Sequence, residues 1–585
     1  MKPVVLLLFL LVALKSFAQM DEKIFVFGED TFQKSMHKSS SLRSFTLPEI
    51  ENKQSLEKLL SGEAAFSFAE SSFGGSKSLF VRGSDSQHTA LVLDGILLND
   101  PSDPNDRFDF SNLSLSGLER VEVYKGNFSN IYSPSSIGGL ILLYSRQEAQ
   151  DQKLSFAKGS ENVFRFKSFN SLSKKSWNAW ISLDHLNSDG ISVKGDRESG
   201  FEKDPFKKQQ VFARTNYRFH EDMSLSFLYR HFVNQAETDS SNGDDQYDFV
   251  DYDSDLYHLV FQKNRFRIGT GLYQSDRESL FSSTTYTVAT DKKYAFIDQK
   301  LRFTETADIS YRFEVDSGEI KISSLAEDKK QAHQAFAFLY EQDLNNSFFV
   351  SFAPRVDHYE DVDTNYTAAF LFGKKHSFWE VGIGLRRAAK APSLYNLYDP
   401  TYGNVDLKPE FSEQVEVYMN YKMASQWEWA ASVYKTNIKD RIDTDYSNPY
   451  ENTGSYLLLG GEVELKKAFY NGMDFRLSEA YVNAENQETG KALYGRPREV
   501  QSLFWGYKSD FHYSSLGLRH EKGIISYGDV PLDDFILVDL NYKYQISKAS
   551  QLKLEIGNLL NQHYQRVANF NTRARNYLVE YSFKF

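Results

Sequence analysis

The chain of 585 residues is 15% aromatic, yet its mean hydropathy is −0.50 and its net charge is −12. It contains no cysteine, which excludes disulfides, thiolate metal sites and cysteine nucleophiles. The acidic balance argues against a nucleic-acid partner, because such proteins neutralise phosphates with basic residues. An aromatic-rich but polar composition is expected of a transmembrane barrel, in which apolar outward positions alternate with polar inward ones.

Residues 1–18 have the pattern of a secretory signal peptide. An apolar core over residues 4–14 is followed by the small residues Ser16 and Ala18 before the expected cleavage. This core is too short to span a bilayer, and no other apolar run reaches about 18 residues, so the sequence excludes helical membrane spans. Residues 19–38 are then the N-terminal segment and linker of the mature chain.

Residues 39–146 have the size and mixed pattern of a separate α+β domain. Ser55–Ser61 is a short helix candidate, and glycine turns separate the apolar runs 79–82, 90–93 and 121–124. We expect this domain to be a plug, because the barrel predicted next would enclose a lumen too wide for its own side chains to fill.

After the plug segment, residues 147–585 alternate short polar clusters with strand-like runs. Four long polar stretches, 188–208, 234–255, 387–411 and 483–498, lie among ten tight turns. The turns are Ser173–Ser176, His220–Met223, Gln262–Arg265, Thr304–Asp308, Asp343–Asn346, Gly373–His376, Met423–Gln426, Phe469–Gly472, Ser509–His512 and Ser547–Ser550. Short turns opposite long loops are typical of outer-membrane barrels. Ten periplasmic turns with both termini inside predict about 22 antiparallel transmembrane strands.

The last nine residues predict the closing strand of this barrel. One face carries only apolar and aromatic residues: Tyr577, Val579, Tyr581, Phe583 and Phe585. The other face is polar apart from one leucine, as expected of a strand with lipid on one side and water on the other. The alternative is the C-terminal strand of a soluble sandwich, which the ten turns and the plug segment disfavour.

Three ordered blocks of sequence resemble the TonB-dependent outer-membrane receptor family. The plug block comprises Phe80–Gly83, Leu91–Gly95, Leu118–Gly126, Ser129–Tyr132 and Ile137–Ile141. The barrel blocks are Lys390–Tyr398, Gly403–Glu410 and Ile556–Tyr564. The compact barrel and the last block look most like the vitamin B12 (cobalamin) receptor branch. Departures from the family pattern at Asn127, Ser133 and Leu142 indicate a divergent member.

This resemblance implies a transporter in the outer membrane of a Gram-negative cell. Its substrate would be a scarce small molecule, either a corrinoid or a metal chelate such as a ferric siderophore. Its partners would be the periplasmic TonB protein, outer-membrane lipid and, as a further candidate, a substrate-binding surface lipoprotein. An adhesin or phage-receptor barrel without uptake is the alternative from another class, and it would need no plug.

No enzymatic activity is expected from the sequence. Ser55–Lys58 fits the Ser-x-x-Lys string of β-lactamases, but the companion motifs of that family do not occur. No set of residues could be assembled into a catalytic site, and no cofactor is required.

The resemblance also implies a TonB box near the mature N-terminus. The matching residues are Glu22, Lys23, Ile24, Phe25, Val26, Phe27 and Gly28. An extended apolar run can offer its free backbone groups to a partner strand by β-augmentation. The alternative is that this run is the first strand of the plug.

In this family the upper plug loops meet the substrate, and residues 99–109 form a polar, proline-stiffened loop. Its candidate contact residues are Asn99, Asp100, Asp103, Asn105, Asp106 and Arg107. The alternative is a solvent-facing turn of the plug. Four further charged plug residues, Arg82, Glu119, Arg120 and Glu122, are predicted to form ion pairs between plug and barrel.

The acidic stretch 234–255 is a candidate calcium site, because clustered carboxylates are the oxygen ligands that calcium prefers. The candidate ligands are Asp239, Asp244, Asp245, Asp248, Asp251 and Asp253. An EF-hand starting at Asp251 is rejected, since Leu256 replaces the turn glycine and Gln262 the bidentate acid. A solvated acidic loop without metal is the alternative.

Overall fold

The computed structural model describes residues 42–70, 73–128, 132–147, 151–194, 202–239, 248–281, 284–423, 425–444 and 447–585. The predicted signal peptide and the candidate TonB box, Glu22–Gly28, lie outside the described residues. Within the described ranges, no helix is long and apolar enough to cross a membrane.

The chain first forms a small domain of strands and two short helices. Its elements are β1 (Leu42–Thr46), α1 (Leu47–Glu51), α2 (Leu56–Leu60), β2 (Phe66–Glu70), β3 (Lys77–Val81), β4 (Thr89–Leu93), β5 (Ile96–Leu97), β6 (Leu118–Lys125) and β7 (Gly139–Ser145). A five-stranded sheet has the order β1-β6-β7-β4-β5, and β2 pairs with β3 in a separate hairpin. The predicted helix is confirmed as α2, and Ser55 is its N-cap because the Ser55 hydroxyl accepts a hydrogen bond from the Lys58 amide.

The rest of the chain is almost entirely strands. They are β8 (Gln152–Gly159), β9 (Phe164–Lys174), β10 (Trp177–Ser188), β11 (Phe206–His220), β12 (Met223–Glu237), β13 (Phe249–Lys263), β14 (Phe266–Phe281), β15 (Thr284–Arg302), β16 (Ala307–Ile322), β17 (Lys329–Asp343), β18 (Phe348–Tyr359), β19 (Asn365–Lys375), β20 (Trp379–Lys390), β21 (Glu410–Lys422), β22 (Trp427–Lys439), β23 (Arg441–Asp443), β24 (Glu451–Thr453), β25 (Tyr456–Ala468), β26 (Met473–Asn486), β27 (Glu499–Lys508), β28 (His512–Lys522), β29 (Ile525–Ser526), β30 (Val530–Pro531), β31 (Phe535–Gln545), β32 (Ser550–Gly557) and β33 (Asn576–Lys584). The short helix α3 (Leu394–Tyr398) lies between β20 and β21.

Twenty-two of these strands form a closed antiparallel barrel, as the sequence predicts. The hairpins β23–β24 and β29–β30 are separate two-stranded sheets between barrel strands. Strand β33 pairs with β32 on one side and with β8 on the other, which closes the ring. A closed barrel leaves no unpaired strand edge, so every backbone polar group that meets lipid is satisfied within the protein.

Alternation of side chains explains the polar composition. In β21, Val415, Val417 and Met419 are exposed on the outer face, whereas Gln414 and Glu416 are buried in the lumen. The terminal strand follows the same rule: its aromatic face is exposed, and Glu580 and Ser582 are buried. The soluble-sandwich alternative is therefore wrong.

Each of the ten predicted tight turns coincides with or overlaps a junction between two barrel strands. The turn predicted at Gly373–His376 is displaced to residues 376–378. Gly373 itself remains paired with Phe349 on one side and Gly382 on the other, because β19 continues to Lys375.

The plug and the barrel wall share one apolar core. Leu91, Val121 and Ile141 of the plug sheet are fully buried in a cluster that also includes Trp180 and Phe212 of the barrel. A shared core of this kind fixes the position of the plug, because apolar surface that leaves it would meet water.

Candidate functional site

The loop 99–109 at the top of the plug is the predicted substrate-contact region. Asn99 is 2% exposed, and its side-chain oxygen accepts a hydrogen bond from the Leu91 amide. Its side-chain NH₂ donates to the Asp106 carbonyl at 2.8 Å. Asn99 therefore shapes the loop from inside.

Asp100 and Asp103 connect this loop to the barrel wall. Both carboxylates are almost fully buried and face Arg277 of β14, at 2.8 Å and 3.6 Å. Ser275 donates a further hydrogen bond to Asp100 at 2.9 Å, and Arg107 pairs with Asp103 at 2.8 Å. The loop is thus held by ion pairs that leave little of either carboxylate accessible.

The accessible part of the loop is Asn105, Asp106 and Arg107, which are all half-buried. Burial raises the pKa of Asp106 to about 6, and the nearby carboxylates of Asp100 and Asp103 add to that rise. The predicted contact residues therefore share one loop but divide into a buried anchoring set and an accessible set.

A loop from the barrel covers the top of the plug. We call residues 391–409 the α3 loop, since it contains that helix. Ser393 begins the helix by accepting a hydrogen bond from the Asn396 amide. The Ser393 hydroxyl and the Asn396 NH₂ also donate to the Pro104 carbonyl, at 3.1 Å and 2.8 Å. The Lys390–Tyr398 block thus joins outer loop and plug loop directly.

Five tyrosines surround the α3 loop and were not singled out from the sequence. This tyrosine cluster comprises Tyr286, Tyr395, Tyr398, Tyr402 and Tyr450. Tyr286 donates a hydrogen bond to Asp399 at 2.5 Å and meets Tyr395 edge-on. Three of them lie within eight residues, from Tyr395 to Tyr402, and this density of tyrosines is the signal in the sequence that could have identified the cluster.

On one side, the plug is held by buried charges that we call the clamp: Arg82, Asp85 and His88 with their barrel-side partners. Arg82 pairs with Glu416 at 2.8 Å and Glu462 at 2.5 Å. The His88 ring lies 2.7 Å from Glu410, and neither side chain is exposed.

Asp85 completes the clamp by pairing with two arginines from the outer part of the barrel. Arg441 lies 2.8 Å away and Arg496 2.7 Å away. Burial alone would raise the pKa of Asp85, but these two guanidinium groups hold it far below its usual range.

The predicted ion pairing between plug and barrel is confirmed for Arg82 and is wrong for Glu119, Arg120 and Glu122 of β6. Arg120 pairs instead with Glu122 of the same strand at 3.4 Å. Glu119 accepts a hydrogen bond from the Gln147 amide. β6 lies between β1 and β7 inside the plug sheet, and its terminal residue Lys125 does reach the barrel, where it pairs with Glu462 at 2.9 Å.

On its other side, the plug faces two cavities of about 420 and 240 Å³, which we call the cavity side. The larger is bordered by the turn at Ser509, and the smaller extends to Phe206 at the start of β11. Lys53, Glu57 and Lys58 border both. Burial lowers the pKa of Lys53 to about 8.

The predicted calcium ligands do not all lie on a loop. Asp244 and Asp245 fall outside the described residues. Asp239 and Asp248 are buried, and Asp239 accepts a hydrogen bond from the Lys194 amide. Because β12 ends at Glu237 and β13 begins at Phe249, the sequence interpretation, which put the whole stretch 234–255 in a loop, is wrong for the two ends of that stretch.

Asp251 and Asp253 lie within β13, where they alternate with buried residues and so occupy the outer face. His231, Asp253 and Asp255 offer ligand atoms within 4.8 Å of one another. Calcium binding in this stretch stays a prediction.

A plugged 22-stranded barrel with an outer loop docked on the plug defines an outer-membrane receptor. Residues 151–559 match the family model "TonB dependent receptor-like, beta-barrel". Residues 35–140 match "TonB-dependent Receptor Plug Domain". The chain belongs to the TonB-dependent receptor family and is an outer-membrane protein; the family is one of receptors and transporters, not an enzyme class.

Curated relatives align with most of the chain. The vitamin B12 transporter BtuB of Vibrio cholerae is 24% identical over 97% of this chain and 96% of its own length. BtuB of Vibrio vulnificus is 23% identical, covering 87% of this chain and 86% of the relative.

Solved structures share the fold at lower identity. The siderophore receptor PirA from Acinetobacter baumannii has a TM-score of 0.80 at 13% identity, covering 96% of this chain and all of that one. The copper transporter OprC has a TM-score of 0.80 at 14% identity, with 94% and 99% of the two chains covered. These structures establish likeness of fold alone.

Proposed function

We propose that this TonB-dependent receptor imports a corrinoid across the outer membrane. The substrate would lie between the accessible part of the plug loop, Asn105–Arg107, and the tyrosine cluster of the α3 loop. The observation that carries the proposal is this docking of a tyrosine-rich outer loop on the plug tip. Aromatic surfaces with a few polar groups are typical of sites for large, mostly uncharged ligands.

The charges of the plug tip also favour a corrinoid over an anionic ferric chelate. Arg277 and Arg107 are paired with Asp103, and Arg441 and Arg496 are paired with Asp85. An anionic chelate would have to compete with these carboxylates for the guanidinium groups. The curated relatives support the same choice, since those quoted above are named vitamin B12 transporters.

Binding assays with the purified receptor test the substrate. We expect cyanocobalamin to bind and a ferric catecholate chelate to bind far more weakly. Tyr395→Ala combined with Tyr398→Ala should weaken cyanocobalamin binding about tenfold or more, because aromatic contact area is lost. The matched control is Tyr366→Ala, since Tyr366 is 67% exposed on the outer wall. Stronger binding of the ferric chelate would favour the siderophore alternative.

Uptake is proposed to require the candidate TonB box, through strand addition to the periplasmic TonB protein. Deleting residues 22–28 should abolish uptake and leave the affinity for cyanocobalamin unchanged. Normal uptake by the deletion variant would contradict the coupling and would favour a receptor without active transport. Growth of a receptor-deletion strain under cobalamin limitation, compared with iron limitation, checks the substrate in the cell.

A further inference from the structure

The two cavities beside the plug lie one above the other along the inner face of β31. The larger cavity reaches the periplasmic turn at Ser509 and the end of β31 at Gln545. The smaller cavity reaches Phe206 and Asn576, at the extracellular ends of β11 and β33. Asp539, near the middle of β31, borders both cavities. Together the two cavities therefore follow the barrel wall over most of its height.

An ion pair between plug and wall lies where the two cavities meet. Lys58 of α2 borders both cavities, as Asp539 does, and the two side chains are 2.6 Å apart. The side chains are 42% and 26% exposed, so water reaches the pair although it lies deep in the barrel. An ion pair that water reaches is weak, because water replaces either partner when the pair opens.

Four lysines without a carboxylate partner follow the cavities from the outer to the periplasmic end. Lys208 borders the smaller cavity, Lys53 borders both, and Lys543 and Lys508 border the larger one. In the described part of the chain, none of these four lysines forms an ion pair. Two of them donate hydrogen bonds to neutral oxygens. The positive charge of this row of lysines is therefore not cancelled by neighbouring side chains.

The carboxylates that border the same cavities are mostly paired. Glu57 and Asp184, for example, pair with basic side chains at 2.7 Å and 2.6 Å. Among the described residues, Asp474 and Asp510 form no ion pair, and both lie at the periplasmic end of the larger cavity. An excess of positive charge thus lines the cavities. Narrow spaces lined by charge of one sign concentrate ions of the opposite sign.

The size of the cavities limits what could move through them. The smaller cavity has a volume of about 240 Å³, below the roughly 300–1,000 Å³ that is typical of sites for drug-sized ligands. A corrinoid does not fit such a space while the plug is in place. Inorganic anions such as chloride and phosphate are small enough to fit.

We propose that the two cavities form a path for small inorganic anions beside the seated plug, and that the Lys58–Asp539 pair closes this path. When the pair opens, anions would move along the row of lysines, which replaces part of their hydration shell as basic side chains do in anion pores. Movement down a concentration gradient needs no energy from a periplasmic partner. The path is therefore a second function, separate from the import of a corrinoid.

Ion conductance of the purified full-length receptor in planar lipid bilayers tests the gate. Asp539→Ala and Lys58→Ala each break the pair and should raise the conductance of the receptor about fivefold. The matched control is Lys153→Ala, because Lys153 and Glu51 form a plug–barrel pair at 3.4 Å that borders neither cavity. It should conduct like wild type. Wild-type conductance in both gate variants, or an equal rise in the control, would overturn the gate.

The reversal potential in a KCl gradient tests the selectivity. The Asp539→Ala receptor should prefer chloride to potassium, and adding Lys53→Gln and Lys543→Gln should abolish that preference. Adding Lys293→Gln and Lys435→Gln instead removes the same charge from exposed positions on the outer face of the barrel and should leave it unchanged. A preference for potassium, or one for chloride that survives the loss of the inner lysines, would overturn the anion path. So would the large, unselective conductance of a barrel that has lost its plug.

Discussion

The clamp and the cavity side hold the same plug to the same barrel by different physical means. In the clamp, the Arg82 side chain is 3% exposed and its partner Glu416 is not exposed at all. On the cavity side, Lys58 is 42% exposed and pairs with Asp539, which is 26% exposed. The Arg82 pair of the clamp is thus dry, whereas the Lys58 pair of the cavity side is partly exposed to water.

This difference indicates where the plug is attached most firmly. A buried ion pair becomes very costly when one partner is removed, because the remaining charge has neither water nor a counter-charge. An exposed pair loses little, since water replaces the missing partner. We therefore expect the clamp to dominate the free energy that seats the plug, and the cavity side to open first.

The largest effect is expected for Arg82→Ala. The substitution removes the cation that Glu416 and Glu462 share, and leaves them Arg386 at 2.6 Å and Lys125 at 2.9 Å as their partners. The loss of the buried Arg82 guanidinium group should cost about 3 kcal/mol of plug stability. Because the chain has no cysteine, Ser136→Cys provides a single buried thiol in the plug. The urea concentration at which that thiol becomes labelled measures the loss of plug stability. Labelling like that of the parent would show that the clamp does not seat the plug.

The barrel itself could be predicted from the sequence because its signals are local. The alternation in β33 needs only nine consecutive residues, and each tight turn needs about four. The turn at 376–378 is predicted three residues too early, because Gly373 resembles a turn residue while it is paired on both sides.

The candidate site could be predicted only in part, because its contacts join distant residues. The polarity of Asp100 indicates a functional or structural role, but nothing near it in the sequence identifies Arg277 as its partner. Asp251 and Asp253 were placed in a loop because of their acidity. Their alternation with Tyr252 and Ser254 indicates a strand. In a strand as long as β13, this alternation is better evidence for the local structure than the acidity of the residues.

Asp85→Asn should have the next largest effect. It removes the carboxylate that Arg441 and Arg496 share, so that among the described residues Arg441 keeps only Asp443 as its acidic partner. Charge-assisted hydrogen bonds of this kind contribute about 1.5–3 kcal/mol. The pKa of Asp85 is lowered in the folded state. Its contribution is therefore complete above the unfolded value of about 4 and is lost as the pH falls below it. Labelling of the Ser136→Cys background at pH 7 and at lower pH measures both effects, and a pH-independent difference would contradict the assignment.

Asp106→Asn should stabilise the plug slightly at neutral pH. The pKa of Asp106 is raised to about 6, so the folded state favours the protonated form. The contribution of Asp106 is complete below about pH 4 and is lost as the pH rises through 6. The amide imitates the protonated acid, and we expect a gain of about 1 kcal/mol at pH 7.5 and none at pH 4. A loss of stability at pH 7.5 would show that the charged carboxylate is needed for the plug loop.

The smallest effect is expected for Lys58→Ala on the cavity side. The Lys58–Asp539 pair is short, at 2.6 Å, but its exposure to water should limit the loss to about 1 kcal/mol or less. A thiol at Ser67, next to Phe68 of the larger cavity, reports opening on this side. In the parent, Ser67→Cys should be labelled at lower urea than Ser136→Cys, because the larger cavity leaves a shorter path for the labelling reagent to reach the plug there. If Lys58→Ala cost as much as Arg82→Ala, the two sides would be equivalent and the seating of the plug could not be assigned to the clamp.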